Sequence, residues 1–146
     1  IPYFIIALSN VLISVLLAQV LFGIVMKASF WLMMAASAIY IFVALALGLL
    51  ISTATKSQLL ANQGAILLTF LPSQMLSDFI FPVSNMPKAL QLVTYAVPAK
   101  YYINILGGIF LKDLPFMSMW KDFAVLALMF LLMAFISMRL LKKEGL

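Results

Sequence analysis

The sequence predicts an all-α integral membrane protein, with four transmembrane helices and a re-entrant or interfacial helix pair before the last span. Of the 146 residues, 66% are hydrophobic and 9% are charged, and the mean hydropathy is +1.21. Soluble domains have about half apolar and a quarter charged residues. Several apolar stretches are also long enough to cross the roughly 30 Å hydrocarbon core of a bilayer. Together these observations exclude the soluble globular classes.

Four apolar stretches define the predicted spans, at about residues 3–26, 30–54, 59–82 and 120–141. At about 1.5 Å of rise per residue, each is long enough to cross the bilayer. Trp120 begins the last span as an interfacial aromatic residue, and Arg139 lies where a long basic side chain reaches the headgroups. The whole chain, 1–146, is therefore expected to be membrane domain.

The segment between the third and fourth spans, about residues 83–119, is apolar but interrupted. Its pieces are too short to span, and two of them, 87–97 and 99–112, have the polar and apolar faces of amphipathic helices. We expect two short helices that lie in the bilayer surface or dip into it. The alternative is an ordinary loop with two interfacial helices and no role in transport. The prolines that divide the segment are Pro82, Pro87, Pro98 and Pro115.

The third span is unusually polar for a membrane anchor. Lipid offers no hydrogen bonds, so a polar stripe faces protein, water or a passing ligand. These side chains, with two from the second short helix, are candidates for a translocation path or gate; hydrogen bonding between helices, without substrate contact, is the alternative. The candidates are Asn62, Gln63, Ser73, Gln74, Ser77, Asp78, Lys100 and Asn104.

We make a specific prediction for each of two residues in the third span, Asp78 and Pro72. A carboxylate at a helix centre costs about 2.5–3.5 kcal/mol on insertion scales, so Asp78, near the end of its span, is expected to pair with Lys100 or Lys112. Pro72 removes one backbone hydrogen bond and predicts a kink near residues 68–72, which makes it a hinge candidate. A kink with a structural role only is the alternative.

The composition disfavours an enzyme. The chain has no histidine and no cysteine, which excludes a Ser-His-Asp triad, a thiol nucleophile and a His/Cys metal site. Its four acidic residues are far apart in sequence, and it has no glycine-rich phosphate-binding loop. We therefore predict no catalytic, cofactor-binding or metal site. The net charge of +5 is attributed to membrane anchoring and not to nucleic-acid binding.

The charge pattern gives a modest indication of orientation. Lys and Arg are almost equally divided between the two predicted sides, but the dense basic flank from Arg139 to Lys143 favours a cytoplasmic C-terminus. The chain starts with Ile1 and runs directly into an apolar stretch without the features of a signal peptide. We expect an upstream part.

Four blocks, at residues 48–58, 71–87, 97–103 and 108–112, carry a family resemblance. They resemble the membrane subunit of ABC-2 type transporters, in particular its bacterial drug-export branch, and the resemblance covers essentially the whole chain. The most distinctive motif residues are Phe79, Phe81, Pro82, Asn85, Met86 and Pro87, with Pro98 in the following block.

The resemblance implies the C-terminal part of a multi-pass permease domain in the bacterial inner membrane. The four predicted spans would be its spans three to six, and residues 83–119 its outward-side re-entrant helices. Such a permease pairs with a second permease, as a homodimer or heterodimer, and with an ATP-binding cassette ATPase that holds the ATP and magnesium. It would move lipophilic or amphipathic, drug-like small molecules outward, and this chain would hold no cofactor.

Other function classes stay open beside this one. A non-transporting membrane scaffold or assembly module is the alternative, and a channel or ion-coupled carrier would need intramembrane charge on more than one span. The chain also departs from the family pattern, with Asp78 and Asp113 in place of glycine and Gly107 in place of a frequent arginine. The family's coupling helix and external domain are expected upstream, so this stretch alone is not expected to transport.

Overall fold

The computed structural model describes residues 1–25, 30–75, 82–112 and 116–145, and every regular element in these ranges is helical. In these ranges the α-helices are α1 (Pro2–Phe22), α2 (Phe30–Ala54), α3 (Gln58–Ala65), α4 (Leu71–Met75), α5 (Lys88–Thr94), α6 (Pro98–Gly107) and α7 (Phe116–Lys143). Two π-helical stretches, Ile66–Phe70 and Gly108–Lys112, and a 3₁₀ turn, Val83–Asn85, complete the described elements.

Three helices in the described ranges are long and apolar enough to cross a membrane: Pro2–Phe22, Phe30–Ala54 and Met117–Lys143. The prediction of an all-helical membrane protein is confirmed. The third predicted span, 59–82, is described as far as Met75, where it consists of α3, the first π-helical stretch and α4. Residues 76–81 lie outside the described part.

Two helix ends differ from the predicted spans. Helix α1 ends at Phe22 instead of continuing to Met26, because Gly23 has the left-handed φ of 61° and its N–H donates to the Gln19 carbonyl at 3.1 Å. Glycine adopts this conformation without a Cβ penalty and so ends the helix. Helix α7 begins at Phe116, before the predicted start of the last span, which places Asp122 in its second turn.

Helices α2 and α7 lie side by side and run parallel. The rings of Phe42 and Phe130 are 5.4 Å apart, and further along both helices the Ser137 hydroxyl donates to the Ala46 carbonyl at 3.4 Å. Because successive residues of α2 meet successive residues of α7, the C-terminal ends of the two helices lie at the same end of the bundle.

Helix α6 packs against both α2 and α7 and runs antiparallel to them. Its Tyr102 ring stacks on Tyr40 of α2, eleven residues into that helix and about 15 Å along it, whereas its π-helical continuation ends close in sequence to the start of α7. The first turn of α6 therefore lies deepest in the bundle. The buried residues of this core are Met33, Ala36, Ile105, Ile109, Met119, Phe123 and Leu126.

The remaining helices flank this three-helix core. Helix α1 contacts α2 through the stacked rings of Phe4 and Phe42, 4.5 Å apart, and has no buried residue of its own. Helix α3 packs on α2, and a Cβ added at Gly64 would be in van der Waals contact with the Ile51 side chain, at 3.6 Å. Helix α4 contacts α6. In lipid, such contacts depend on close packing and interhelical hydrogen bonds, because there is no hydrophobic driving force between spans.

Candidate functional site

Helices α5 and α6 are joined by a turn at residues 95–97, and we call the two helices with this turn the hairpin. Four of the family-motif residues, Pro82, Asn85, Met86 and Pro87, lie in the segment that leads into it. The Asn85 N–H donates to the Pro82 carbonyl at 3.1 Å, Pro87 is the N-cap of α5, and the Gln91 side chain donates to the Met86 carbonyl at 2.8 Å. These bonds fix the angle at which α5 starts. The other two motif residues, Phe79 and Phe81, lie outside the described part of the chain.

The turn between α5 and α6 is held by a proline and a tyrosine. Pro98 occupies the first turn of α6, where its missing N–H costs nothing, and Val97 before it is extended. The Tyr101 hydroxyl donates to the Tyr95 carbonyl at 2.8 Å. Burial, the negative charge of Asp122 and the neighbouring Tyr95 raise the pKa of Tyr101, so its hydroxyl stays protonated and keeps this bond.

Lys100, one of the predicted site residues, is held against this turn. Its ammonium group lies 3.9 Å from the centroid of the Tyr95 ring, within the roughly 6 Å range of a cation–π interaction. The same Nζ donates to Thr94 Oγ1 at 3.4 Å. Thr94 is fully buried, and its hydroxyl donates to the Gln91 carbonyl at 2.6 Å. The positive charge of Lys100 therefore lies at the turn between α5 and α6, held by residues of both helices and of the turn.

Asp122 of α7 completes a set of three side chains that we call the α6–α7 polar cluster: Lys100, Asn104 and Asp122. The Asp122 carboxylate lies near the Asn104 amide and the Lys100 ammonium group, and both groups interact with it favourably. Lys100 and Asn104 lie four residues apart and share a face of α6. Lys100 and Asp122 are partly buried and Asn104 is exposed, so the cluster opens to the surface of the bundle.

The position of Asp122 was not predicted. The sequence predicts that Asp78 pairs with Lys100 or Lys112. Asp78 lies outside the described residues, so this pairing stays a prediction. The row of Lys100 and Asn104 on one helix face was visible in the sequence. No spacing rule connects that row to a carboxylate on a different helix, because only the antiparallel packing of α6 on α7 brings the two together.

Tyr102 provides a second link, from α6 to α2. Its hydroxyl oxygen lies 2.9 Å from Oγ of Ser37, which is fully buried. Its ring stacks on Tyr40 with a centroid distance of 4.5 Å and an interplanar angle of 5°. Helix α6 therefore has polar contacts with both neighbouring spans, through the polar cluster on the α7 side and through this tyrosine on the α2 side.

The predicted polar stripe of the third span has a different environment. Asn62 and Gln63 are exposed and Gln74 is partly buried, while α3 packs on α2 with its Gly64 face. The structure therefore unites Lys100 and Asn104 but leaves Asn62 and Gln63 on an open surface. The Ser73 side chain and all of Ser77 and Asp78 lie outside the described part.

The predicted interruption of the third span coincides with a change of helix type. The π-helical stretch Ile66–Phe70 ends just before the first turn of α4, which contains Pro72. Proline cannot donate to the carbonyl four residues earlier, and π-helical turns are a common way to accommodate such a break. The hinge role of Pro72 stays a prediction.

The chemistry available here is binding and positioning. In the described ranges no three metal-ligating side chains come together. The polar cluster offers a cation, an amide and a carboxylate, and the described stripe residues offer amides. The fold and these sites define a multi-pass helical membrane domain that has polar groups at membrane depth and a hairpin fastened between two spans.

The chain belongs to the ABC-2 family of transporter proteins, whose family model matches residues 1–139. It is 37% identical, over 111 residues, to a probable multidrug ABC transporter permease, YbhS, of Escherichia coli strain K12. The aligned residues are 76% of this chain and 29% of that protein. It is 35% identical, over 75 residues, to the probable multidrug ABC transporter permease YbhR of the same strain, covering 51% of this chain and 20% of that protein.

The chain thus spans less than a third of the length of these curated relatives. No solved structure gives a significant match. The family prediction is confirmed by these comparisons.

Proposed function

We propose that the chain is the membrane-spanning part of an exporter permease, which moves lipophilic or amphipathic small molecules outward across the bacterial cytoplasmic membrane. ATP hydrolysis on a partner subunit or domain supplies the energy. The observation that supports this most directly is a hairpin fastened between two spans, beside a third helix with an open polar face, in a chain of the ABC-2 family. The class of cargo follows the multidrug names of the relatives.

In this proposal α2, α6 and α7 form a body that moves as one. Tyr102 bonds α6 to Ser37 of α2, and Lys100 and Asn104 of α6 interact with Asp122 of α7. The buried apolar core fills the space between these links. Because close-packed cores resist gradual deformation, a rearrangement of α7 carries the hairpin with it.

The proposed transport surface is the exposed face of the third span, on the side away from α2. Helices α3 and α4 are separated by a π-helical stretch, and Asn62 and Gln63 of α3 are exposed. Amide groups exposed at membrane depth need partners. We propose that these partners alternate between water, cargo and a second permease, either an identical or a related chain.

The orientation follows from the parallel α2 and α7. Their C-terminal ends lie together, so Lys56, Arg139 and Lys142 lie at one end of the bundle, and the connection from α6 to α7 lies at the other. Lys and Arg are almost equally divided between the two ends, and the dense flank from Arg139 to Lys143 favours this end as the cytoplasmic one. A partner ATPase with bound ATP and magnesium would act at that face, and residues 83–119 would form outward-side re-entrant helices before the fourth span.

The test is dye export by the complete permease with its ATPase, in inside-out vesicles, with a panel of neutral and cationic lipophilic dyes. The pair Asn62→Leu and Gln63→Leu is expected to reduce ATP-dependent export about tenfold, the equivalent of about 1.4 kcal/mol in the barrier. The matched pair Asn62→Gln and Gln63→Asn keeps the amides and is expected to keep export. Export that continues without ATP would refute the proposal and favour another class of transporter. Equal export by the leucine variant and the amide-exchange variant would also refute it.

A further inference from the structure

A cavity of about 370 Å³ lies between α1 and α6, on the flank of α6 that is remote from the polar cluster. Its volume is within the range of about 300–1,000 Å³ that is typical of small-molecule sites. One wall includes Asn10, Ser14, Ala18 and Ile24, and the other includes Tyr102 and Leu106.

The cavity extends along the direction of the membrane normal. Ile24 lies just beyond the end of α1, near the start of α2, whereas Asn10 is in the middle of α1. On the other wall Tyr102 is at the depth of Tyr40. The cavity therefore runs from one end of the bundle to about the middle of the spans, within the apolar part of the bilayer.

None of the lining residues is charged. A charged ligand would lose its hydration there without gaining a counter-charge, and this costs several kcal/mol or more. Most of the lining is aliphatic or aromatic. The cavity is therefore suited to a neutral molecule with a mainly apolar body.

The deep end offers hydrogen bonds. Asn10 and Ser14 lie four residues apart on one face of α1, and in the described residues neither side chain has a hydrogen-bond partner. By contrast, Ser9 on the same helix donates to the Ile5 carbonyl at 2.8 Å, and the Tyr102 hydroxyl is engaged by Ser37. Polar groups at membrane depth are satisfied by protein, water or ligand.

We infer that this cavity binds a neutral, mainly apolar small molecule whose hydrogen-bonding group meets Asn10 and Ser14. The molecule enters sideways from the bilayer, because α1 has no buried residue that closes this side. The inference goes beyond the proposed function by locating a ligand away from the third span. Whether the bound molecule is exported rests on that function, so binding and export are measured separately.

The probe is benzophenone, a neutral molecule with one carbonyl acceptor that inserts into nearby C–H bonds on irradiation. The complete permease with its ATPase is labelled in lipid nanodiscs, and labelled peptides are identified by mass spectrometry. Labelling is expected on the α1 and α6 peptides that carry Val11 and Leu106. Ala18→Trp fills the cavity and should reduce it about tenfold. Leu16→Trp, on the exposed opposite face of α1, should leave it unchanged.

Three outcomes would overturn the inference. The first is labelling that is equal in Ala18→Trp and Leu16→Trp. The second is labelling spread evenly over the lipid-facing residues. The third is a cross-link from a benzoyl-phenylalanine placed at Val11 to an upstream segment of the same chain, which would show that protein occupies the cavity. If the cavity is not labelled but the dyes are exported, this inference is contradicted and the proposed function is not. If the cavity is labelled as expected but ATP-dependent export is absent, this inference is supported and the proposed function is contradicted.

Discussion

Replacement of Lys100 by methionine tests the α6–α7 polar cluster directly. The substitution keeps an unbranched apolar side chain but removes a positive charge that interacts with Asp122. We expect the variant to fold with a lower free energy of unfolding. The measurement is denaturant-induced unfolding in detergent micelles, followed by far-ultraviolet circular dichroism, with Lys88→Met on the exposed face of α5 as the matched control.

The expected magnitude follows from the contacts of Lys100. The cation–π interaction with the Tyr95 ring, at 3.9 Å, contributes about 0.5–1 kcal/mol. The 3.4 Å hydrogen bond to Thr94 is long and contributes little. An unpaired carboxylate at the centre of a span costs about 2.5–3.5 kcal/mol. The cost for Asp122 is lower because it lies in the second turn of α7, is only partly buried and keeps its interaction with Asn104. We therefore expect a total loss of about 1–3 kcal/mol, less than the 3–5 kcal/mol of a fully buried pair.

The second variant decides whether Asp122 is the partner. Asp122→Asn removes the charge, so Lys100→Met in that background should cost less than it does alone, by about 1–2 kcal/mol. Losses that add within about 0.5 kcal/mol would refute the pairing. Restoration of the Lys100→Met variant by Asp78→Gly, and not by Asp122→Asn, would instead identify the partner that the sequence predicts.

Three further predictions concern the links around this cluster. Tyr102→Phe should lower the free energy of unfolding by about 0.5–1.5 kcal/mol, and Ser37→Ala should add little in that background; two independent full losses would contradict the hydroxyl contact. Gly64→Leu should lower the free energy of unfolding by about 1–3 kcal/mol, because the added side chain would meet Ile51 of α2. A Cβ at Gly48 meets nothing within 4 Å, so Gly48→Leu should lower it little. Equal losses in the two variants would refute the packing argument. Pro72→Ala should slow ATP-driven dye export without lowering stability, and unchanged export would show that Pro72 is not a hinge.

The helices and the membrane class could be predicted from the sequence because they depend on local information. Uninterrupted apolar runs determine α1, α2 and α7, and the breaks that Pro87 and Pro98 predict are where α5 and α6 start. A left-handed glycine at the end of α1 is also a local effect, yet Gly23 within an apolar run gave no signal against a longer helix. Local patterns thus give the elements and leave their ends uncertain.

The candidate site could be predicted only in part, because its contacts come from different helices. The row of Lys100 and Asn104 is a property of one helix and was visible. The carboxylate that meets them depends on how α6 packs on α7, and the Tyr102–Ser37 bond depends on how α6 packs on α2. The π-helical stretch before Pro72 could be anticipated as a break, but its form depends on the packing around it.

The absence of buried residues in α1 has a mechanical consequence. Its 21 residues include no buried side chain, whereas α2, α6 and α7 share the interior contacts. When an atomic-force tip pulls the chain out of a bilayer from the N-terminal side of α1, this helix should therefore leave before the core helices and at lower force. The three core helices should then resist extraction as one cooperative step.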